Sequence, residues 1–321
     1  MDSEFTSKKE IKGKCIFKYI KSKYILKRVI NNISEYTFLN LIKCNKNLQE
    51  YFDIDINNYK YYQKVEIELI PSKYEFGNFI NMKGEYSYYH IYFNDSNEEI
   101  KRDYITKDDK VSKITIIIDS NIKSFYRLFY RCKCIEFINF KRFNIKDITS
   151  MREMFNGCSS LRKIKFTNFK SDNVTDMKLM FNRCESLKEI DLSNFNTSNV
   201  TDMCGMFTEC PLLTELNLSK LDTHNVENMS SLFEGCSSLS ELNLSNFNTQ
   251  NVNKMSYIFA ECTSLTELDL SKFNTQNVTS MASMFYKCSS LEELNLSNFE
   301  VNNVDNWSCM FLGCTNKLRN K

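Results

Sequence analysis

The chain has 321 residues, with 42 Lys and Arg against 40 Asp and Glu, and this near balance predicts neither a uniformly basic nor a uniformly acidic protein. The first ten residues, MDSEFTSKKE, are charged, and no apolar run approaches the ~18 residues of a membrane span. We therefore expect no secretory signal, no membrane span and a cytoplasmic location. With two His, seven Gly and no phosphate-binding loop, the sequence predicts no enzyme, no metal site and no cofactor.

Residues 1–55 are predicted to form a small helical module. Apolar residues recur at helical spacing from Ile16 to Ile33, and further apolar clusters begin at Phe38 and Leu48. The stretch KYILKRVINNISEYTFLNLIKCNKNLQEYF resembles an F-box, although it lacks the Leu-Pro opening of that motif. This resemblance implies an alternative function, in which the chain is a substrate adaptor of a ubiquitin ligase.

Residues 56–110 are predicted to be a β-rich connector, because the apolar period changes to two. Val65, Ile67 and Leu69 alternate with glutamates before a proline. A second alternation, in residues 89–93, ends at an Asn-Asp turn signal. Both stretches are interpreted as short strands.

A 26-residue repeat organises the rest of the chain. Its clearest marker is a cysteine, with Phe three residues before it, at Cys132, Cys158, Cys184, Cys210, Cys236, Cys262, Cys288 and Cys314. Such a period predicts a solenoid, in which each coil buries its apolar face against its neighbours. We place the solenoid at 111–316, with its first strand in residues 110–120, and a basic tail at 317–321.

Each coil is predicted to contain one parallel strand and one short helix. The strand is indicated by the L-x-x-L-x-L spacing of a leucine-rich repeat, as in Leu187, Ile190 and Leu192. The helix is indicated by an apolar stripe at i, i+3, i+4 and i+7, as in Met203, Met206, Phe207 and Cys210. A recurring Asn before this stripe, such as Asn199, is interpreted as the helix N-cap.

The predicted fold class is therefore α/β, a curved leucine-rich repeat solenoid preceded by the helical module and the connector. Packed helices lie about 8 to 10 Å apart and parallel strands about 4.8 Å apart, so the coils are expected to splay on the helix side. Splayed coils would hold the repeated cysteines farther apart than the ~7 Å between Cα atoms that a disulfide allows. We expect these thiols to be buried and unbridged.

The candidate binding site consists of the strand positions that face away from the core, on the expected concave sheet face of the solenoid. It comprises Glu189, Asp191, Glu215, Asn217, Glu241, Asn243, Glu267, Asp269, Glu293 and Asn295. Five glutamates at ~4.8 Å intervals favour a protein partner with a basic surface. The alternative is that repeat duplication copied a tolerated surface residue. We expect a monomer that does not bind nucleic acid.

Charge is distributed unevenly along the solenoid. Residues 121–172 carry 12 Lys and Arg against 4 Asp and Glu, whereas residues 173–316 carry 7 against 18. The first coils are thus basic and the later coils acidic, a difference that could orient a partner.

The repeat NVTDMxxMFxxCxSLxELNLSNFNT resembles the BspA-like leucine-rich repeats of bacterial surface proteins, mycoplasma lipoproteins and protist proteins. The resemblance covers about residues 121–316 and implies a non-enzymatic protein-interaction scaffold. In some members it implies a cell-surface adhesin, which is a second alternative function here. The chain differs from the exported members because its start shows no signal peptide or lipobox.

Overall fold

A computed structural model of the protein describes residues 64–319, except 85, 120, 121, 144, 146 and 168, together with residues 46, 49 and 50. The chain divides into two compact units, residues 1–62 and residues 63–321. The three described residues of the first unit are helical. The rest of the predicted helical module, with most of the F-box-like stretch, lies outside the described residues.

The second unit begins with strands whose alternate side chains are buried. They are β1 (Val65–Pro71), β2 (Gly77–Asn78), β3 (Tyr89–Phe93), β4 (Glu99–Ile100), β5 (Tyr104–Ile105) and β6 (Ile114–Ile118), with a short 3-10 helix at Tyr86–Tyr88. Val65, Ile67 and Leu69 are fully buried. The strands predicted from alternation at residues 65–69 and 89–93 are confirmed.

Parallel strands then recur along the repeats. They are β7 (Ile135–Phe143), β8 (Lys163–Phe166), β9 (Glu189–Asp191), β10 (Glu215–Asn217), β11 (Glu267–Asp269) and β12 (Glu293–Asn295). The pairs β7 and β8, β9 and β10, and β11 and β12 are parallel, and residues 26 apart are opposite one another. The repeats therefore stack as coils of a solenoid.

A six-stranded sheet, ordered β4-β3-β6-β1-β7-β8, joins the first strands to the solenoid. The sequence places the first solenoid strand at residues 110–120, but that assignment is wrong. The strand there is β6, which pairs antiparallel with β1 and β3, and β1 lies between β6 and β7. Parallel stacking of strands therefore starts at β7, and β1 covers its outer edge.

The helix predicted in every coil is not present. From residue 64 onward, the described residues contain one α-helix, α1 (Asn316–Arg319). In its place each coil has a run of tight turns, in which Met180 donates its N–H to Met177 and Cys184 donates to Phe181. We call this run the turn segment. Its backbone is left-handed at two positions per coil, such as Leu179 and Arg183, with φ of 55° and 56°.

Backbone hydrogen bonds join each turn segment to the next coil. Met177, Leu179, Phe181 and Arg183 donate to carbonyls 25 residues later at 2.8–3.0 Å. An α-helix would use these N–H groups internally. The apolar stripe at i, i+3, i+4 and i+7 does point inward, because consecutive turns place the same four positions on one side. The stripe thus identified the buried residues but not the backbone conformation.

The coils do not splay on the turn side. Phe rings from Phe129 to Phe311 stack in one row, with centroids 5.3–5.9 Å apart and planes within 10° of parallel. This spacing is close to that of paired strands rather than of packed helices. The reasoning from helices to a curved solenoid is therefore wrong.

The repeated cysteines are buried and free, as predicted, but for a different reason. Cys132 to Cys288 are fully buried and Cys314 is 6% exposed. From Cys158 onward, each thiol donates a hydrogen bond to a Phe carbonyl 29 residues earlier, with Sγ to O distances of 2.9–3.3 Å. Burial raises the pKa of the Cys210 and Cys262 thiols to about 12.

The recurring Asn residues join coils rather than cap helices. The side-chain amide of Asn199 donates to the carbonyl of Asp172 at 2.7 Å, and Asn225 donates to Ser198 at 2.7 Å. A row of buried Thr adds a second set of bonds, in which Thr223 Oγ1 donates to the carbonyl of Asn248 at 2.9 Å. The N-cap interpretation is therefore wrong, and both rows satisfy backbone groups between coils.

Candidate functional site

The ten candidate residues are all exposed on the outer surface of the strand side, which we call the strand face. Eight of them lie in β9 to β12, where Glu215 is opposite Glu189 and Glu267 is opposite Glu293. Glu241 and Asn243 occupy the same repeat positions, in a coil whose residues are not in a strand. The structure therefore brings the predicted residues together on one face.

Two shallow grooves run across this face. A groove of about 730 Å³ includes Glu241, Glu267 and Glu293 in its walls, together with Lys272 and Lys317. A second groove, of about 750 Å³, has Lys163 and Lys165 at one end and Glu189, Asp191 and Glu215 at the other. The strand face thus changes from basic to acidic within the second groove.

The Asp and Asn positions have a structural role. The side-chain oxygen of Asp191 accepts the backbone N–H of Ser193 at 2.9 Å, and Asp269 accepts that of Ser271 at 2.9 Å. These backbone N–H groups lower the pKa of both carboxyl groups. Asn217, Asn243 and Asn295 accept the equivalent N–H at 3.0–3.2 Å. Side chains at this position shape the turn after each strand.

The Glu positions are different, because most of their carboxylates form no ion pair with a Lys or Arg of the described residues. Glu189 forms an ion pair with Lys163, which occupies the same repeat position one coil earlier. Among the described residues, no Lys or Arg lies within ion-pair distance of Glu215, Glu241, Glu267 or Glu293. Neighbouring carboxylates ~4.8 Å apart repel by about 0.9 kcal/mol at the dielectric constant of water. A cationic partner would relieve this repulsion.

Sequence reasoning missed Lys163 and Lys165 as parts of the site. Both are exposed on β8, and the Lys165 ammonium lies 5.9 Å from the centroid of the Phe137 ring. Their signal is in the repeat itself, because they precede Glu189 and Asp191 by 26 residues. Aligning the basic coils with the acidic ones would have found them.

The described part of the chain holds neither a metal-ligand cluster nor a membrane-spanning helix. No group of three or more His, Cys, Asp and Glu there could hold a metal ion. No helix among those residues is long and apolar enough to cross a bilayer.

The stacked parallel strands define the class of protein as a repeat solenoid. A family model described as "Mycoplasma protein of unknown function, DUF285" matches residues 123–220 and again residues 212–320. The two matches together cover more than half of the chain, which therefore belongs to this family of BspA-like repeats. No curated protein and no solved structure shows a significant match to the chain.

Proposed function

We propose that the chain is a non-enzymatic protein-interaction scaffold, and that its strand face binds a protein with a basic surface. The observation that carries the proposal is the row of exposed carboxylates at Glu215, Glu241, Glu267 and Glu293, which have no cation of the described residues beside them. Their repulsion favours an occupant with Lys or Arg at matching intervals.

The arrangement of the coils supports a binding role for this row. Core packing and backbone bonding are complete without the Glu side chains, since the inward residues are buried and the Asp and Asn side chains accept the turn N–H groups. Each Glu can therefore change without loss of the fold. A flat row of polar groups with shallow grooves also suits an extended or loop-shaped protein surface.

We propose further that the coils are leucine-rich repeats, and that the protein is cytoplasmic and monomeric. Inward residues such as Leu213, Leu218 and Leu221 are buried at the spacing of that class of repeat. Location is tested by following a tagged full-length chain in its own cell. Surface exposure of the tag would favour the adhesin alternative instead.

The binding test uses a short fluorescent peptide that alternates Lys with small residues. The substitutions Glu215→Lys, Glu241→Lys and Glu267→Lys are introduced together, and affinity is measured by fluorescence anisotropy at low and physiological salt. Exposed ion pairs contribute about 0.2 to 1 kcal/mol each, so reversing three charges is expected to weaken binding by at least about threefold. Added salt should weaken binding to the unmodified chain.

A matched control carries Glu209→Lys, Glu227→Lys and Glu261→Lys, which change the net charge equally away from the strand face. The control is expected to bind the peptide as the unmodified chain does. An equal loss in both variants would show a general charge effect, and unchanged binding in the strand-face variant would reject the proposed site.

A further inference from the structure

The outer surface of the turn segments carries charge that the proposed function does not use. In the first coil four positions of the turn segment are exposed or half-buried, and they lie between buried residues: Tyr126, Arg127, Tyr130 and Arg131. Backbone bonds between coils place the equivalent residues of successive coils next to one another. We call the surface formed by these positions the turn face. It lies across the core from the strand face.

The turn face is basic in its first three coils. Its outward positions there hold five cations, contributed by Arg127, Arg131, Arg152, Lys178 and Arg183. Glu153, which is 4% exposed, pairs with both Arg127 and Arg152, and Asp176 beside them is half-buried. Asp202 and Glu209 follow one coil later, at the repeat positions of Asp176 and Arg183. At the same positions of the next three coils there is no Lys or Arg, and Glu209, Glu234 and Glu261 are acidic. The concentration of positive charge is therefore local.

Contacts with Glu153 and with aromatic rings hold cations in place at the start of this surface. The Arg127 guanidinium binds Glu153 through Nε at 2.8 Å, and its Cζ lies 4.6 Å from the Tyr130 ring centroid. Arg131 Cζ lies 5.2 Å from the same centroid, and the Lys83 ammonium lies 4.0 Å from that of Tyr126. Cations stacked on aromatic rings lose less conformational freedom when they bind an anion.

A groove continues the basic surface toward the strands at the start of the unit. It has a volume of about 340 Å³, and its walls include Lys83, Lys123, Tyr88 and Tyr126. Aromatic side chains beside ammonium groups suit a ligand that has both flat rings and negative charges. A purely acidic peptide or a lipid headgroup would not use the aromatic walls.

We propose that the turn face of the first three coils, together with this groove, binds single-stranded nucleic acid. Phosphates would lie along Arg131, Arg152 and Arg183, where guanidinium groups can donate two hydrogen bonds to one phosphate. A base would enter the groove beside Tyr88 and Tyr126. The sequence-based prediction is that nucleic acid does not bind. The sequence shows that the first coils are basic, but it is stacking of the coils that places their cations on one surface.

The test measures binding of a fluorescent oligothymidylate of roughly 20 nucleotides to the full chain by anisotropy. The double variant Arg131→Glu, Arg183→Glu reverses two exposed cations and is expected to weaken binding about tenfold or more. Raising salt from about 50 to 200 mM should weaken binding by the unmodified chain roughly 50-fold, if about four phosphates are contacted. A second variant, Tyr126→Leu, should weaken oligothymidylate binding about fivefold.

The repeat supplies a matched gain-of-function control. Glu209 and Glu261 occupy the same repeat position as Arg131 and Arg183. The variant Glu209→Arg, Glu261→Arg is expected to bind oligothymidylate at least as tightly as the unmodified chain. Circular dichroism and thermal unfolding of every variant establish that the coils remain folded.

Three results would overturn the proposal. They are no binding of oligothymidylate at low salt, unchanged binding by the Arg131→Glu, Arg183→Glu variant while it remains folded, or unchanged binding by Tyr126→Leu. Equal or tighter binding of inorganic polyphosphate, polyglutamate or phosphatidylserine vesicles would also reject nucleic acid as the ligand. It would assign the surface to a simple polyanion, an acidic protein or a membrane, respectively.

Discussion

The two sides of each coil are held together very differently. On the turn side, backbone bridges connect every coil from Ser124 to Asn306, and the Phe and Cys rows are buried except at Phe311, in the last coil. On the strand side, β9 to β12 are three residues long and form only two-stranded sheets, and Leu216, Leu242 and Leu294 are only partly buried. The turn side is therefore the continuous support of the stack. The strand side can vary with little loss of stability.

Alkaline pH should destabilise the turn side more than any substitution described below, because the repeated thiols lie on that side. Burial raises the pKa of seven of them, Cys132, Cys158, Cys184, Cys210, Cys236, Cys262 and Cys288, above the 9.0 of a solvated thiol. The folded chain thus keeps protons that the unfolded chain releases. The stabilisation is complete below about pH 9 and is lost as pH rises toward about 12.

Each thiol is expected to reduce the free energy of unfolding by up to about 1.4 kcal/mol per pH unit in that range, or roughly 10 kcal/mol per unit for the row. Urea unfolding at a series of pH values from neutral to about 10 measures the slope. Replacing Cys210 and Cys262 by Ala should make the slope shallower by up to about 2.7 kcal/mol per pH unit. A stability that stays constant above pH 9 would contradict the buried row.

Truncation of a core side chain should reduce the free energy of unfolding more on the turn side than on the strand side. This difference is expected to be smaller than the effect of alkaline pH. Phe207 is 1% exposed and stacks between Phe181 and Phe233, at 5.7 and 5.9 Å. Phe207→Ala is expected to reduce the free energy of unfolding by about 3 to 5 kcal/mol, because it leaves a cavity in the stack. Leu216→Ala, in the same coil, should reduce it by only about 1 to 2 kcal/mol, since Leu216 is partly exposed. Equal losses in urea unfolding would remove the distinction between the sides.

The smallest expected effect is that of replacing a glutamate by glycine. This change should raise the free energy of unfolding on the turn side and lower it on the strand side. Glu209 has a φ of 58°, and glycine occupies the same repeat position at Gly157, Gly235 and Gly313. Glu209→Gly is expected to raise the free energy of unfolding by about 0.5 to 1 kcal/mol, since relief of the left-handed backbone exceeds the added chain entropy.

Glu215→Gly provides the comparison on the strand side, where the backbone is extended. This substitution should lower the free energy of unfolding by about 0.5 to 1 kcal/mol. Thermal unfolding of the two variants beside the unmodified chain measures both changes. A loss of stability in Glu209→Gly would show that its side chain contributes more than its backbone costs.

Much of the solenoid could be predicted from sequence, because the pattern of buried residues recurs with the 26-residue repeat. The inward stripe, the buried cysteines, the outward Glu row and the parallel strands all follow from residue type and period. The turn conformation could not be predicted, since a stripe such as Met203, Met206, Phe207 and Cys210 fits an α-helix and a run of turns equally well. Hydrogen bonding between coils decides between them, and it depends on residues 25 positions away.

The site was predictable in position but not in detail. The repeat placed Glu215 and Asn217 on one face, yet only the structure shows how they differ. Asn217 accepts the backbone N–H of Ser219 at 3.1 Å, whereas no described Lys or Arg lies within ion-pair distance of Glu215. The pairing of Tyr126 and Tyr130 with nearby cations was also hidden. It brings together Lys83 and Arg127, which are far apart in the sequence.

The ladder of backbone bonds on the turn side also gives the molecule a modular length. In each turn segment the N–H groups point toward the following coil and the receiving carbonyls point back, so every coil offers its neighbours the same pair of edges. Duplicating one 26-residue unit would lengthen the stack without creating a new interface. Outward positions can then diverge independently, as Arg131, Gly157, Arg183 and Glu209 do at one repeat position. Evolution can thus move a charge along the surface in steps of one coil while the buried rows stay unchanged.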